Sequence, residues 1–503
     1  MIRLTGHELT LDQFAEVVHS RLGCVLDPEA RKRVAACRRT VEEIVERGDP
    51  VYGVNTGFGN LASQHIPREK LRALQEKLLL SHAAGVGRPL ADDVVRGMLL
   101  LRANTLSQGH SGVRPEVVDL LLAFLDRDLL PRVPSRGSVG ASGDLAPLAH
   151  LALPLTGRGR VRYGGKEMEA AEALAAAGLE PVVLHSKEGL ALINGTQAMT
   201  SLVALAALET RRLARIADLV GALTVDAFRG TDACFDPRLH DLRPHPGQRA
   251  SAANLWRLLQ GSKIRESHLS GDDAVQDPYS LRCMPQVHGA ARDVLADVER
   301  RLAVEMNAVT DNPILFPEQG DVISGGNFHG QPIAFAADFL AIALSELGSI
   351  AERRVDKLTD ATFSSQPPFL VEDAGLNSGF MIAQVTAAAL TSENKQLATP
   401  ASVDSISTSA DQEDHVSMGM GAALRLCRVH RHVQRILAIE LCCAAQGIDF
   451  LRPLESSRPL EELHADFRGR VARWDESHEM ARDLDAAYEF LGGPIDRHLT
   501  GLE

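Results

Sequence analysis

The sequence predicts a mainly α protein: a long central helical bundle with a loop-rich N-terminal region that carries the chemistry. Three observations point there. Proline-free stretches run from Pro181 to Pro237 and from Pro400 to Pro453, and proline is the residue that most reliably ends a helix. Val294, Leu295, Val298, Leu302, Met306 and Val309 follow the three- and four-residue spacing of one helical face. The segment QPIAFAADFLAIALSELGSIAERRVDKL, residues 331–358, is apolar nearly all round. Asp338, Glu346 and Gly348 inside it argue against a membrane span and for burial in a bundle.

Taken in order, the elements divide into three regions. Residues 1–200 form an N-terminal region, 201–400 a central long-helix bundle, and 401–503 a C-terminal helical region with a polar loop at its start. Strand signals are few, and VRYGGKEM (161–168) reads as a hairpin turning on Gly164-Gly165. Glycine-rich or polar segments interrupt the helical background as loops: VYGVNTGFGN (51–60), RGSVGASGD (136–144), LINGTQ (192–197), VQDPYSLRC (275–283), SGGNFHG (324–330) and TSADQEDHVS (408–417). There is no internal repeat and no low-complexity tract.

Composition excludes several classes of function. At 503 residues, with 45% hydrophobic and 24% charged residues, the chain has the balance of a globular protein with a large core. A net charge of −13 with no basic run argues against a nucleic acid partner. The N-terminus carries charges and no apolar signal region, and the seven cysteines form no CxxC pair. A cytoplasmic protein with reduced thiols is expected.

GSVGASGDLAPLAH (137–150) places three glycines and two serines in seven residues before turning apolar. A phosphate-binding loop needs a lysine after its last glycine, and Asp144 stands there instead. A nucleophile elbow needs glycines two places either side of the serine, and Gly143 comes one place early. A plain surface turn, with Asp144 capping a helix that begins at Leu145, satisfies the pattern. So does a chemical reading. The amide nitrogen of Gly143 can attack the carbonyl of Ala141, and loss of two waters leaves a methylidene where the Ser142 side chain was. Glycine supplies an unhindered nitrogen and the freedom to bend, serine the hydroxyl that leaves, and alanine an uncrowded carbonyl.

GSVGASGDLAPLAH is similar to the signature of the aromatic amino acid ammonia-lyases. VYGVNTGFG, LLSHAAGVG, LALINGTQ, QDPYSLRC, DNP (311–313), GGNFHG and PASVDSISTSADQEDHVS (400–417) resemble the same family in its usual order, over about residues 50 to 420. The resemblance implies a 4-methylidene-imidazol-5-one formed from Ala141, Ser142 and Gly143, with no external cofactor; no metal is expected either, because adjacent Glu413, Asp414 and His415 do not converge on one ion without a special turn and no HExxH is present. It implies a homotetramer whose active sites take loops from several subunits, acting on a small amino acid, with no membrane partner.

Elimination of ammonia needs an electrophile to improve a poor leaving group, a base for a weakly acidic β-hydrogen, and donors for the developing charge. By resemblance, Tyr52 is a base or proton shuttle, and Tyr279 stands beside the prosthetic group. Each phenol would need its proton affinity lowered from a pKa of about 10. Arg282, one helical turn after Tyr279, suits bidentate capture of the substrate carboxylate. Asn194 and Gln276 match polar positions that hydrogen-bond the carboxylate or the ring-closed group, and Phe328 matches a packing position. A solvated arginine, satisfied amides and a core phenylalanine are the plain alternatives.

Two positions bear on the substrate. Ser81-His82 resembles the pair in family members that act on histidine, and His82 could hydrogen-bond an imidazole. Glu413 is a carboxylate where plant phenylalanine relatives carry an amide, and it could pair with an imidazole N–H or share in proton transfer. Thr399, His288 and Asp411 depart from the residues usual in such members. The implied reaction is L-histidine to trans-urocanate and ammonia, with Tyr52 or Glu413 as the base. A tyrosine or phenylalanine ammonia-lyase, a 2,3-aminomutase, or a non-catalytic helical protein on the same scaffold are the alternatives.

Overall fold

A computed structural model of the chain describes residues 1–57, 59, 64–270, 275–475 and 478–503. Phe58 and Asn60, at the end of the predicted loop 51–60, lie outside the described residues. The chain divides into two compact units, each assembled from three segments. The first comprises Met1–Leu208, Val298–Asp338 and Pro400–Leu424; the second comprises Glu209–Asp297, Phe339–Thr399 and Arg425–Glu503. Two of the breaks fall near residues 200 and 400. Four long helices carry the chain from one unit to the other: Gln197–Phe228, Met284–Glu305, Gln331–Thr359 and Gly419–Phe450.

In the first unit, local signals set the helix ends. Helix Leu11–His19 starts at Thr10 in a reciprocal capping box with Gln13. Helix Pro28–Arg47 has Asp27 as its cap, proline at its first position and Gly48 at φ 77 after its last turn. Helix Asp92–Ser107 is buried from Val94 to Ser107, so the core of this unit forms around it. Gly97 lets a neighbour approach closely, because a Cβ there would stand 2.2 Å from Ser201 Oγ. The predicted hairpin is present as Arg160–Tyr163 paired with Lys166–Glu169, and Gly164 and Gly165 turn it at φ 55 and 79.

Two helices differ from the sequence reading. The helix containing Val294 ends at Glu305, short of Met306 and Val309. Asn307 Nδ2 donates to the Ala303 carbonyl at 2.9 Å, taking the acceptor that would continue the backbone ladder. Helix Gln331–Thr359 follows the prediction in extent but is not covered on every side. Phe335, Phe339 and Ile342, at i, i+4 and i+7, are 38%, 41% and 43% exposed. This helix is apolar and long enough to cross a membrane by composition, yet 67% of its most apolar window is buried.

In the second unit, a buried ionic network joins segments of all four long helices. Arg354 donates to both oxygens of Glu440 at 2.5 and 2.9 Å, and Thr224 Oγ1 donates to Glu440 at 2.8 Å. His288 Nδ1 lies 2.8 Å from Asp218, which also accepts from Arg292 at 2.6 Å. Arg354, Glu440, His288 and Asp218 are each fully buried, so every charge depends on its partner.

Candidate active site

The glycine-serine turn is gripped from three directions within the first unit. Gly140 and Gly143 have φ of 70 and 72. Gly143 lies flat against Gly195, where an added Cβ would stand 2.1 Å from the Gly195 carbonyl oxygen. Asp144 N donates to that same oxygen at 2.7 Å. The carbonyl of Gly140 accepts from Ser417 Oγ at 2.9 Å and from Gly330 N at 3.1 Å, while Met418 N donates to Val139 O at 2.8 Å. Segments 194–197, 324–330 and 408–418, distant in sequence, therefore converge on one turn.

Asp144 does not play the part its position suggested. Helix Leu145–Ala152 begins where expected, with Asp144 preceding it, but its carboxylate makes no cap bond there. It accepts instead from Ser138 Oγ at 2.8 Å and from Met199 N at 2.9 Å, and so caps the start of helix Gln197–Phe228. Burial pushes its carboxyl up to about 6, against the hydrogen bonds from Met199, Ser138 and Ala198. The turn and the long helix are thereby locked together.

A cavity of about 1090 Å³ opens over the turn, and every described residue that lines it belongs to the first unit. Of the residues singled out from sequence, Tyr52, His82, Ala141, Ser142, Asn194, Phe328 and Glu413 line it. Gly143 sits beneath the lining against Gly195. Gln276, Tyr279 and Arg282 belong to the second unit. Tyr279–Arg282 forms a single helical turn, with the guanidinium 4.4 Å from the Tyr279 ring centroid. Arg282 Nε donates to Asp277 O at 3.1 Å. Tyr279 is 70% exposed, and Gln276 is exposed as well.

The cavity-lining side chains have definable states. His82 ends helix Leu71–His82, where its Nδ1 lies 2.9 Å from the Leu78 carbonyl and 3.0 Å from Ser81 Oγ. A ring nitrogen facing a carbonyl must carry the proton, which leaves Nε2 as an acceptor. Burial lowers the His82 pKa, more than its bond to Leu78 and the Glu413 charge raise it, and so favours this neutral form. Gly59 N donates to Tyr52 Oη at 3.3 Å. Glu413 accepts from Ser142 Oγ at 2.5 Å on Oε1, and from Thr408 Oγ1 at 2.7 Å and Ser409 Oγ at 2.9 Å on Oε2. Half-burial pushes its carboxyl up, but the three hydroxyls, joined by His82 when that ring is protonated, outweigh that and hold it below the usual range.

Asn194 follows the short helix Glu188–Ile193, which Gln75 Oε1 ties to Leu71–His82 by accepting from Gly189 N at 2.9 Å. Arg102 Nη1 holds the Asn194 carbonyl at 2.9 Å, and Asn194 Nδ2 donates to Asn312 O at 3.1 Å. The loop carrying Asn312 is anchored by a fully buried ion pair, Lys187 Nζ to Asp311 at 3.0 Å. Asn194 Oδ1 is buried and has no hydrogen-bond partner among the described residues. An orphaned acceptor on a cavity wall suits a donor brought by a ligand. The close fit of Gly143 on Gly195 and the position of Ser142 Oγ in the cavity fit the predicted cyclisation.

Sequence reasoning missed Thr408, Ser409, Asn312, His329 and His415, which also concern this cavity. His329 and His415 stack with centroids 5.9 Å apart and line it with Asn312 and Ser409. Asn312 lies in the DNP motif and the other four inside segments already recognisable as loops, so location was legible where role was not. Among the described residues, no cluster of His, Cys, Asp or Glu has the arrangement to hold a metal ion.

Comparison with known proteins places this geometry in context. The family profile described as aromatic amino acid lyase matches residues 9–469. A histidine ammonia-lyase of Deinococcus radiodurans is 56% identical over 481 residues, covering 96% of this chain and 92% of that protein. The crystal structure of histidine ammonia-lyase from Trypanosoma cruzi is 43% identical with a TM-score of 0.91, covering 99% of this chain and 94% of that one. Tyrosine aminomutase from Streptomyces globisporus is 37% identical with a TM-score of 0.94, covering 100% and 98%.

Proposed function

The chain belongs to the aromatic amino acid lyase family, and on that premise we propose that it deaminates L-histidine to trans-urocanate and ammonia. The observation that carries the reading is the single cavity that brings Ser142 to Glu413, with His82, Tyr52 and Asn194 on its walls. A 4-methylidene-imidazol-5-one made from Ala141, Ser142 and Gly143 would supply an electrophilic carbon that converts the amine into a leaving group.

The chain's own residues supply the rest. His82 Nε2, an acceptor, receives the imidazole N–H of the substrate and so favours histidine over a phenyl side chain. Glu413, held as a carboxylate, or Tyr52 takes the β-proton. Arg282 and the Asn194 Nδ2 hydrogen not used by Asn312 bind the substrate carboxylate, Gln276 adds a polar contact, and Phe328 packs beside the reacting group. Tyr279 stands next to that group as a further proton donor or acceptor.

We place Gln276, Tyr279 and Arg282 at the active site of a homotetramer, where loops of different subunits meet. The exposure of Tyr279, Ile382 and Val385 supports this assembly. Sedimentation velocity giving only a monomer would exclude it. Seven free thiols support a reducing compartment, the cytoplasm.

The test is product analysis with histidine, tyrosine and phenylalanine offered separately. Urocanate from histidine is expected, and Ser142→Ala should reduce turnover to background while leaving helix content unchanged. Coumarate, cinnamate or a β-amino acid as the main product would contradict the substrate assignment. Turnover retained by Ser142→Ala would contradict the chemistry.

A further inference from the structure

Glu413 is held by a compact loop. Thr408 N donates to Glu413 O at 3.0 Å and Glu413 N to Thr408 O at 3.3 Å, closing residues 408–413 into an antiparallel bridge. Within it Ser409, Ala410 and Asp411 have φ of 53, 54 and 63. Three consecutive non-glycine residues in the left-handed region cost backbone energy, which a purely connecting loop would not need. The result is that Thr408 and Ser409 place both hydroxyls on the same carboxylate oxygen, Oε2. The other oxygen, Oε1, faces Ser142 at the cavity wall.

The two sides of this carboxylate have different futures. In the proposed cyclisation, Gly143 N bonds to the Ala141 carbonyl carbon. The amide protons of Gly143 and Ser142 leave with the Ala141 oxygen as one water. The Ser142 Cα proton leaves with its hydroxyl as the second, and Cα and Cβ become doubly bonded. Ser142 Oγ is thus consumed and Oε1 loses its donor, whereas Thr408 and Ser409 keep theirs. We infer that Thr408 and Ser409 are positioning residues, which clamp one oxygen of Glu413 so that the other is presented to the substrate. This rests on the reading that Glu413 takes part in the deamination.

The titratable groups sharing the cavity with Glu413 are Tyr52, Lys77, His82, His329, Asp414 and His415. Of these, His82 acts on its charge only when protonated, and then in the same direction as the hydroxyls. None of them bonds Oε2, so the clamp can be loosened without touching them. Two donors lost from a carboxylate raise its proton affinity and free its rotamer.

The test uses full-length Thr408→Val/Ser409→Ala, with Thr408→Ser as the conservative rescue and Ser409→Ala alone as a milder variant. Intact mass first establishes that each protein has lost two waters. The double variant is expected to lose kcat by about tenfold or more with KM little changed, because the clamp serves a step rather than ground-state binding. The acid limb of kcat/KM should move up by about one pH unit, as expected for a lost charge-assisted bond. Infrared difference spectra against Glu413→Gln should show the same rise in Glu413 titration, and Thr408→Ser should restore both. An unchanged acid limb and an unchanged infrared titration in the double variant, or in Ser409→Ala if the double variant does not fold, would overturn the inference. Wild-type turnover in Glu413→Gln would instead remove Glu413 from the chemistry, while the infrared titration would still report on the clamp.

Discussion

Gly143 is the residue whose identity the proposed cyclisation and the observed packing both demand. With φ at 72 and the Gly195 carbonyl 2.1 Å from any added Cβ, alanine there must displace backbone rather than a flexible side chain. Gly143→Ala is therefore expected to retain its full translated mass and to lack turnover, with mass spectrometry as the check; a variant two waters lighter would contradict this. The proposed Ala141-Ser142-Gly143 cyclisation can be read from sequence because it would use three consecutive residues. The partners of Asp144 and Glu413 cannot be, since Met199 lies 55 residues from Asp144 and Ser142 lies 271 from Glu413. Asp144 shows the limit well. A carboxylate before Leu145 predicts the helix boundary, but its oxygens answer a stronger demand from the exposed amides of a second helix start.

At the scale of elements, the long helices are readable from periodicity, while their ends and charges are not. The 294–309 pattern overruns its helix because an apolar face does not reveal that Asn307 will take the Ala303 carbonyl. Nor does a lone Glu440 in an apolar run reveal its partner 86 residues away. That pair makes a stability prediction. Glu440→Ala leaves the Arg354 guanidinium fully buried without its carboxylate, at a cost of about 3–5 kcal/mol. Urea denaturation should show the midpoint fall with the slope preserved. A loss under about 1 kcal/mol would mean that the network relaxes or hydrates on losing one member.

At the scale of the molecule, each compact unit is assembled from three separated segments, so neither could be bounded from local composition. The loops singled out from sequence sort accordingly. Those bearing Tyr52, Ser142, Asn194, Phe328 and Glu413 fold into the first unit, and the one bearing Tyr279 and Arg282 into the second. Sequence order shows that these loops exist, while only folding reveals which of them share a wall. The central claim is that the turn between Val139 and Leu145 is converted from backbone into an electrophile. Intact mass of the purified full-length protein tests it most directly. A chain two waters lighter than its translated sequence, with the loss mapping to the peptide containing Ala141-Ser142-Gly143, is the result expected. A chain of full translated mass that still forms urocanate from histidine would contradict it.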